Sequence, residues 1–308
     1  MRRRLPKRAM ASMAIVGVAL LLDGCEAQVW GTPPTQANPP PATVAPQSSP
    51  AALPEAPPVQ SAVGFDGLDA RVRQATADAA KSGATITTAI MDRNTGQVVS
   101  NAATKSFPLA SVVKLFIADD LLLQESKGET TLSPADHQQL DIMLRSSDDS
   151  AAQNFWNRSG GNAIIARVKA RYGLAGTTAP WNGHWDVTTS TASDLIRYYD
   201  MLLDGTGGLP PEQAAVIIGD LAQSTPTGTD GYPQRFGIPE GLYAEPVAVK
   251  QGWFCCWSGP NQLHVSTGAI GPDRRYVMAI SSLEPDDAAA ARETVTQAVK
   301  TMFPGGTI

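Results

Sequence analysis

From residue 63 to residue 308 the strand signals fall at the two ends of the sequence, and the helix signals fall between them. Thr85 to Met91 and Val98 to Ala102 read as strands around Asn94-Thr95-Gly96, a hairpin. Ala244 to Lys250, Gln262 to Ala269 and Tyr276 to Ser282 read as strands near the other end. Between them Ser111 to Ser126 is a strongly apolar helix closed by Gly128, and Ser133-Pro134 starts another with proline in its first turn. Three or four more helices fill Asp148 to Ala222, and a last one runs from Asp286 to Met302. A first helix is expected from a cap at Asp66 to Lys81, with Gly83 as its stop. Two groups of strands form one sheet only if the chain ends meet. The predicted fold is therefore α/β (α+β): an antiparallel sheet from both chain ends, flanked by helices, with an inserted helical region. The cleft between sheet and inserted helices is the natural place for a site.

The first 62 residues have another character. Arg2, Arg3, Arg4, Lys7 and Arg8 precede an apolar stretch from Ala9 to Leu22, followed by Asp23-Gly24-Cys25. The apolar stretch is short for a membrane span. A basic start, an apolar middle and a small residue before cysteine resemble a bacterial lipoprotein signal. That resemblance implies cleavage after residue 24 and acylation of Cys25, for example with palmitate. Asp23 is unusual at its position. Ten prolines between Pro33 and Pro58 keep residues 25–62 extended and unpacked, a spacer between membrane and folded part. Trp30 near its start could dip into the lipid interface. The expected organisation is a signal over 1–24, a lipidated linker over 25–62 and a folded domain over 63–308.

Composition narrows the function classes. With 43% hydrophobic and 17% charged residues the chain can bury a core. The net charge of −5 becomes −9 once five leader cations and Asp23 are removed. No nucleic-acid role is expected from such a chain. An acyl chain, not a basic face, would hold it at the extracytoplasmic side of the membrane. His137, His184 and His264 show no ligand spacing, so neither a metal nor another cofactor is expected.

Three short segments carry chemistry. Ser111-Val112-Val113-Lys114 opens an apolar helix, and on a helix positions i and i+3 share a face. The amine can then take the proton of an otherwise weak nucleophile. Ser146-Ser147-Asp148-Asp149 opens a second helix, where Ser and Asp also make ordinary N-caps. Lys250-Gln251-Gly252 ends the apolar strand Pro246 to Val249, and its glycine lets a ligand approach the backbone.

In order and context the three segments resemble the Ser-x-x-Lys, Ser-Asp-Asn and Lys-Thr-Gly set of class A β-lactamases and penicillin-binding proteins. Phe107 to Ala110, Asp148 to Ala152, Thr188-Thr189 and Phe236-Gly237-Ile238-Pro239 are similar to family segments as well. The resemblance covers most of Thr85 to Met302. It implies a serine β-lactamase-like fold, with Ser111 as acyl-accepting nucleophile and Lys114 as its base. It implies that Ser147 passes the proton onward, and that Lys250 holds a substrate carboxylate and assists the relay. The backbone N–H groups of Ser111 and Trp253 would form the oxyanion hole. Asp149, Gln251, Gly252 and Trp253 fall at substrate-binding positions.

Three departures weigh against efficient β-lactam turnover. Asp149 replaces the family asparagine, and a carboxylate near Lys114 favours its protonated form. Gln251 replaces a small hydroxyl residue, although its amide could substitute as a donor. The segment before Thr188 lacks the family's deacylating glutamate. Its one acid, Asp186, fits a loop-closing residue better than a general base.

Two function classes remain. One is a lipid-anchored serine hydrolase or acyltransferase acting on a peptide-like or ester small molecule, with a D,D-peptidase as a variant. The other is a catalytically degenerate lipoprotein that keeps the cleft for binding. No protein partner can be named. Cys255-Cys256 is open between free thiols and a vicinal disulfide. A trans peptide holds neighbouring Cα atoms about 3.8 Å apart, below the usual disulfide span. Trp181, Trp185, Trp253 and Trp257 are candidates for the cleft mouth or for the core.

Overall fold

The computed structural model describes residues 65–308; the expected signal, Cys25, Trp30 and the proline-rich linker lie outside the described residues. The chain opens with α1 (Leu68–Ala80), β1 (Thr85–Asp92), β2 (Gln97–Asn101) and β3 (Ser106–Pro108). A helical region follows: α2 (Lys114–Ser126), α3 (Pro134–Arg145), α4 (Asp149–Arg158) and α5 (Asn162–Tyr172). After the short strand β4 (Thr189–Thr191) come α6 (Ala192–Asp204), α7 (Pro211–Ala222) and α8 (Ile238–Gly241). The chain ends with β5 (Val247–Trp257), β6 (Asn261–Ile270), β7 (Tyr276–Glu284) and α9 (Ala288–Met302).

The two chain ends do form one antiparallel sheet, in the order β2-β1-β7-β6-β5. The joint is β1 against β7, in register from Thr85 opposite Leu283 to Asp92 opposite Tyr276. Alternate residues of this sheet feed two cores. Ile86, Ile90, Met278 and Ile280 meet Leu68 and Val72 of α1 and Val295 and Val299 of α9. Ala89, Val277 and Ala279 meet the helical region, centred on α2. Both faces being covered explains why β1, β6 and β7 are nearly continuous runs of buried residues.

Helix α2 is buried from Lys114 to Leu123. Such a helix carries acids inward only if they are paired. Arg167 makes two hydrogen bonds to the Asp120 carboxylate, at 2.7 and 2.6 Å, and Asp119 is met by Arg171 and Tyr172. At α3 the expected Ser133-Pro134 start holds, with Ser133 and Asp136 bonding each other's backbone N–H groups.

Two local expectations are corrected, and one alternative left open by the sequence is resolved. Gly67, with φ +68°, stands at the N-cap of α1, where no side chain caps; Asp66 lies one residue too early. Strand β5 does not stop at Lys250. It continues to Trp257 because Gln251 through Cys255 stay in register with Ser266 through Gln262. Cys255 and Cys256 are joined as a vicinal disulfide, and their peptide bond is cis. Their Cα atoms are 3.1 Å apart, so the trans spacing assumed from sequence does not apply.

Candidate active site

The first motif is shaped by its neighbours. Strand β3 pairs with β4, and Leu109 N–H donates to Thr188 O at 2.8 Å, fixing the approach. Ala110 then adopts φ +47°, a left-handed conformation that a residue with a Cβ rarely takes. It turns the chain into a 3-10 helix over Ala110–Val113, ahead of α2. In a 3-10 helix residues three apart eclipse one another. Lys114 Nζ accordingly lies 2.9 Å from Ser111 Oγ. The sequence suggests an α-helix from Ser111; the tighter turn gives a closer pairing.

Lys114 is fully buried, and its Nζ has four oxygen neighbours. They are Ser111 Oγ at 2.9 Å, Ser147 O at 2.6 Å, Ser147 Oγ at 3.2 Å and Asp149 Oδ1 at 2.5 Å. An ammonium has three hydrogens and no lone pair, whereas a neutral amine has two hydrogens and one lone pair. In its neutral form the amine can donate to Ser147 O and Asp149 Oδ1 while accepting the Ser111 hydroxyl proton. Burial pushes the Lys114 amine below its ordinary range, and the Asp149 carboxylate pulls it part of the way back. The Trp185 ring, with its centroid 4.9 Å from Nζ, also favours the cation.

The second motif divides its labour. Asp148 caps α4, accepting from Ala151 N–H at 2.7 Å. Ser147, one residue earlier, has φ +58° and turns its side chain and carbonyl to Lys114. The residue that caps the helix is therefore Asp148, and the residue that faces Lys114 is Ser147.

The third motif arrives on the edge strand β5. Lys250 Nζ donates to Ser147 Oγ at 2.9 Å, so Ser147 bridges two lysines. Lys250 is buried, and burial together with the nearby Lys114 charge holds its amine well below the ordinary lysine range. Gln251 sends its amide N–H groups to Gln234 O at 3.1 Å and Phe236 O at 2.5 Å. Those donors are used within the protein, and Gln251 is absent from the cavity wall. Trp253 does line the cavity and stacks on Tyr232, with ring centroids 4.7 Å apart.

Gly252 permits the closest approach in the site. A Cβ there would lie 2.5 Å from Leu109 O and 3.2 Å from Ser111 N. Gly252→Ala should therefore push β5 off the nucleophile. The expected outcome is a folded protein, destabilised by roughly 1–3 kcal/mol. Any reaction at the Ser111 hydroxyl should slow by about a hundredfold, since small misplacements cost that much. Thermal melts read beside burst kinetics check it; an unchanged acylation rate would refute the close-approach argument.

Ser111 opens onto a cavity of about 480 Å³. Asp149, Gln153, His184, Trp185, Asp186, Asp230, Trp253 and Phe254 are among its walls. Asp186 sits in a short 3-10 turn, Trp185–Val187; the residue of that turn facing Lys114 is Trp185, an apolar ring. Asp230 was not foreseen. It belongs to the loop between α7 and α8, which Thr225 N–H and Thr229 N–H tie to Arg145 O and Ser146 O. Its carboxylate accepts from Tyr232 N–H at 2.9 Å and favours the charged form of both lysines. The sequence signal for it is weak: an acid between two glycines in Gly228-Thr229-Asp230-Gly231.

Known proteins are similar to this chain in sequence and in fold. The family described as Beta-lactamase enzyme family matches residues 69–136. In three dimensions the chain is similar to PBP-A, with a TM-score of 0.63 and 17% identity over 77% of this chain and 94% of that one. It is similar to a β-lactamase from Chitinophaga pinensis DSM 2588, with a TM-score of 0.61 and 16% identity over 75% of this chain and 97% of that one. These neighbours show the serine β-lactamase-like fold. Lipoprotein LppW of Mycobacterium tuberculosis is 64% identical over 255 residues, covering 83% of this chain and 81% of the relative, and LppW of Mycobacterium bovis matches equally. By that identity and coverage the chain belongs to the LppW family, on a serine β-lactamase-like fold.

Proposed function

We propose that this protein is a lipid-anchored envelope protein that accepts an acyl group on Ser111 and releases it slowly. The observation carrying this reading is the convergence of Ser111, Ser147 and Lys250 around the buried Lys114 amine. Neutral Lys114 takes the proton as Ser111 Oγ bonds to the carbonyl carbon of an ester or amide. The negative charge on the carbonyl oxygen is met by the backbone N–H groups of Ser111 and Trp253. Collapse breaks the bond to the leaving group. The proton moves from Lys114 through Ser147 to the departing oxygen or nitrogen, leaving an acyl-serine ester and a free alcohol or amine. Lys250 polarises Ser147 for that relay.

A variant of PBP-A among the structural neighbours is known as an acyl-enzyme complex with penicillin G, which supports acylation as chemistry this fold accommodates. The Lys114–Asp149 ion pair and the inward Gln251 amide favour a second reading, a cleft kept for binding alone. The two readings separate in burst kinetics with p-nitrophenyl acetate. Acylation predicts about one equivalent of p-nitrophenol per protein, then a slow phase, with the burst absent in Ser111→Ala. A burst equal in both proteins, or none in either, would refute it.

The relatives' name as lipoproteins supports attachment through Cys25. No helix among the described residues is long and apolar enough to cross a membrane. Cys25→Ala expressed with its leader should leave the membrane fraction or remain unprocessed. A fragment starting at residue 63 should be recovered without lipid; its retention on membranes would contradict the anchor.

A further inference from the structure

The charge of the cavity wall bears on which acyl donors reach Ser111. Three wall residues are acids: Asp149, Asp186 and Asp230. No lysine or arginine lines the cavity. Lys114 and Lys250 lie behind it, fully buried and committed to Ser147 and to each other's surroundings. Asp149 has Lys114 as its ion partner. Asp186 and Asp230 have no Lys or Arg at ion-pair distance among the described residues. His184 is the one wall side chain able to oppose them. The wall also carries the aromatic rings of Trp185, Trp253 and Phe254, and such faces attract cations.

The strand edge adds a second observation. A cleft built to hold a substrate carboxylate needs a donor or a cation facing it. Lys250 does not reach the cavity wall, and the Gln251 amide is turned to Gln234 O and Phe236 O. An anionic ligand would meet two carboxylates without an ion partner and no lysine or arginine on the wall itself; the partly exposed Arg292 stands outside the wall, over the Tyr232 ring that stacks on Trp253. A cationic ligand would meet the opposite field, strengthened by the low-dielectric walls of the cleft.

We infer that this cleft selects acyl donors bearing a cationic group over donors bearing a carboxylate, with Asp186 and Asp230 as the specificity-determining residues. The inference rests on the reading of Ser111 as acyl acceptor. The acids are not a site by themselves; they set the charge at the mouth of the site that Ser111 and Lys114 define.

Three p-nitrophenyl esters of one chain length test it: 6-(trimethylammonio)hexanoate, hexanoate and the adipate monoester. The quaternary ammonium cannot act as a nucleophile, and the salt dependence and the double variant below separate the effect of charge from that of headgroup size. The full chain should show a Ser111-dependent burst at least about tenfold faster with the cationic than with the anionic ester at low salt. The ratio should shrink at 0.5 M NaCl, as roughly expected for screened charges. It should also shrink in an Asp186→Asn, Asp230→Asn double variant. An anionic ester that reacts as fast as the cationic one overturns the selectivity. A ratio unmoved by the double variant overturns its assignment to these carboxylates. The matching carboxamides, titrated into Ser111→Ala, read the preference without chemistry. Tighter binding of the cationic amide supports the charge preference of the cleft, and equal or weaker binding overturns it. Failure of all three esters refutes the acylation reading instead.

Discussion

Acyl-Ser111, once formed, is expected to persist, with a steady-state release rate roughly 10²- to 10⁴-fold below that of an enzyme with a positioned water-activating base. Acylation and deacylation make different demands. The first needs a nucleophile, a base and an oxyanion hole, and the convergence on Lys114 meets the first two directly. The second needs a base beside the ester on the side that water enters. Over Lys114 lies the Trp185 ring, 4.9 Å away, which can neither accept a proton nor hold a nucleophilic water. The check is the slow phase after a p-nitrophenyl acetate burst, compared with loss of the adduct mass over hours. Rapid turnover that disappears in Asp186→Asn would contradict this account and make Asp186 the water-activating group.

Replacing Asp149 with asparagine should speed acylation, about three- to tenfold at neutral pH. Burial lowers the Lys114 amine, and Asp149 raises it again through its charge and its 2.5 Å contact. Lys114 works as a base only when neutral. Removing the Asp149 charge lowers the pH at which it becomes neutral, so the acid limb of the pH–rate profile should move to lower pH. Well above that limb the two proteins should converge, because Lys114 is then neutral in both. The gain is modest because Asp149 is 70% exposed and its charge is screened by solvent. The shift of the limb distinguishes a charge effect from a general loosening, which would change the plateau. A profile that stays in place, or moves to higher pH, would mean Asp149 does not limit the site.

The sequence carried the fold because its strongest signals were long and periodic. The hairpin at Asn94-Thr95-Gly96 and the apolar strands from Val247 to Glu284 leave few ways to pair, and β1 against β7 is the way that joins the chain ends. The candidate site was legible where a motif is local: Ser111 and Lys114 where the 3-10 turn runs into α2, Ser147 beside the Asp148 cap, Lys250 on a strand. What stayed hidden depends on contacts between distant segments. Asp230 reaches the cavity through backbone hydrogen bonds from residues 225 and 229 to the end of α3, which no local pattern encodes. The inward turn of Gln251 depends on carbonyls at 234 and 236. The state of Cys255 and Cys256 is not legible in the sequence, because no local pattern marks the cis peptide that joins them. The end of β5 is not marked at Lys250: the strand passes closest to Leu109 and Ser111 at Gly252 and continues beyond it in register with β6.

The central claim is that the hydroxyl of Ser111, activated by Lys114, is the acyl acceptor. Peptide-mapped mass spectrometry after exposure to p-nitrophenyl acetate addresses it at the level of the atom concerned. The account predicts one added acetyl group per chain, on the peptide containing Ser111. That label should be lost in Ser111→Ala and strongly reduced in Lys114→Ala, with the folded state of each variant confirmed by its thermal melt. An acetyl group spread over surface lysines, with the Ser111 peptide unmodified in a folded protein, would contradict it.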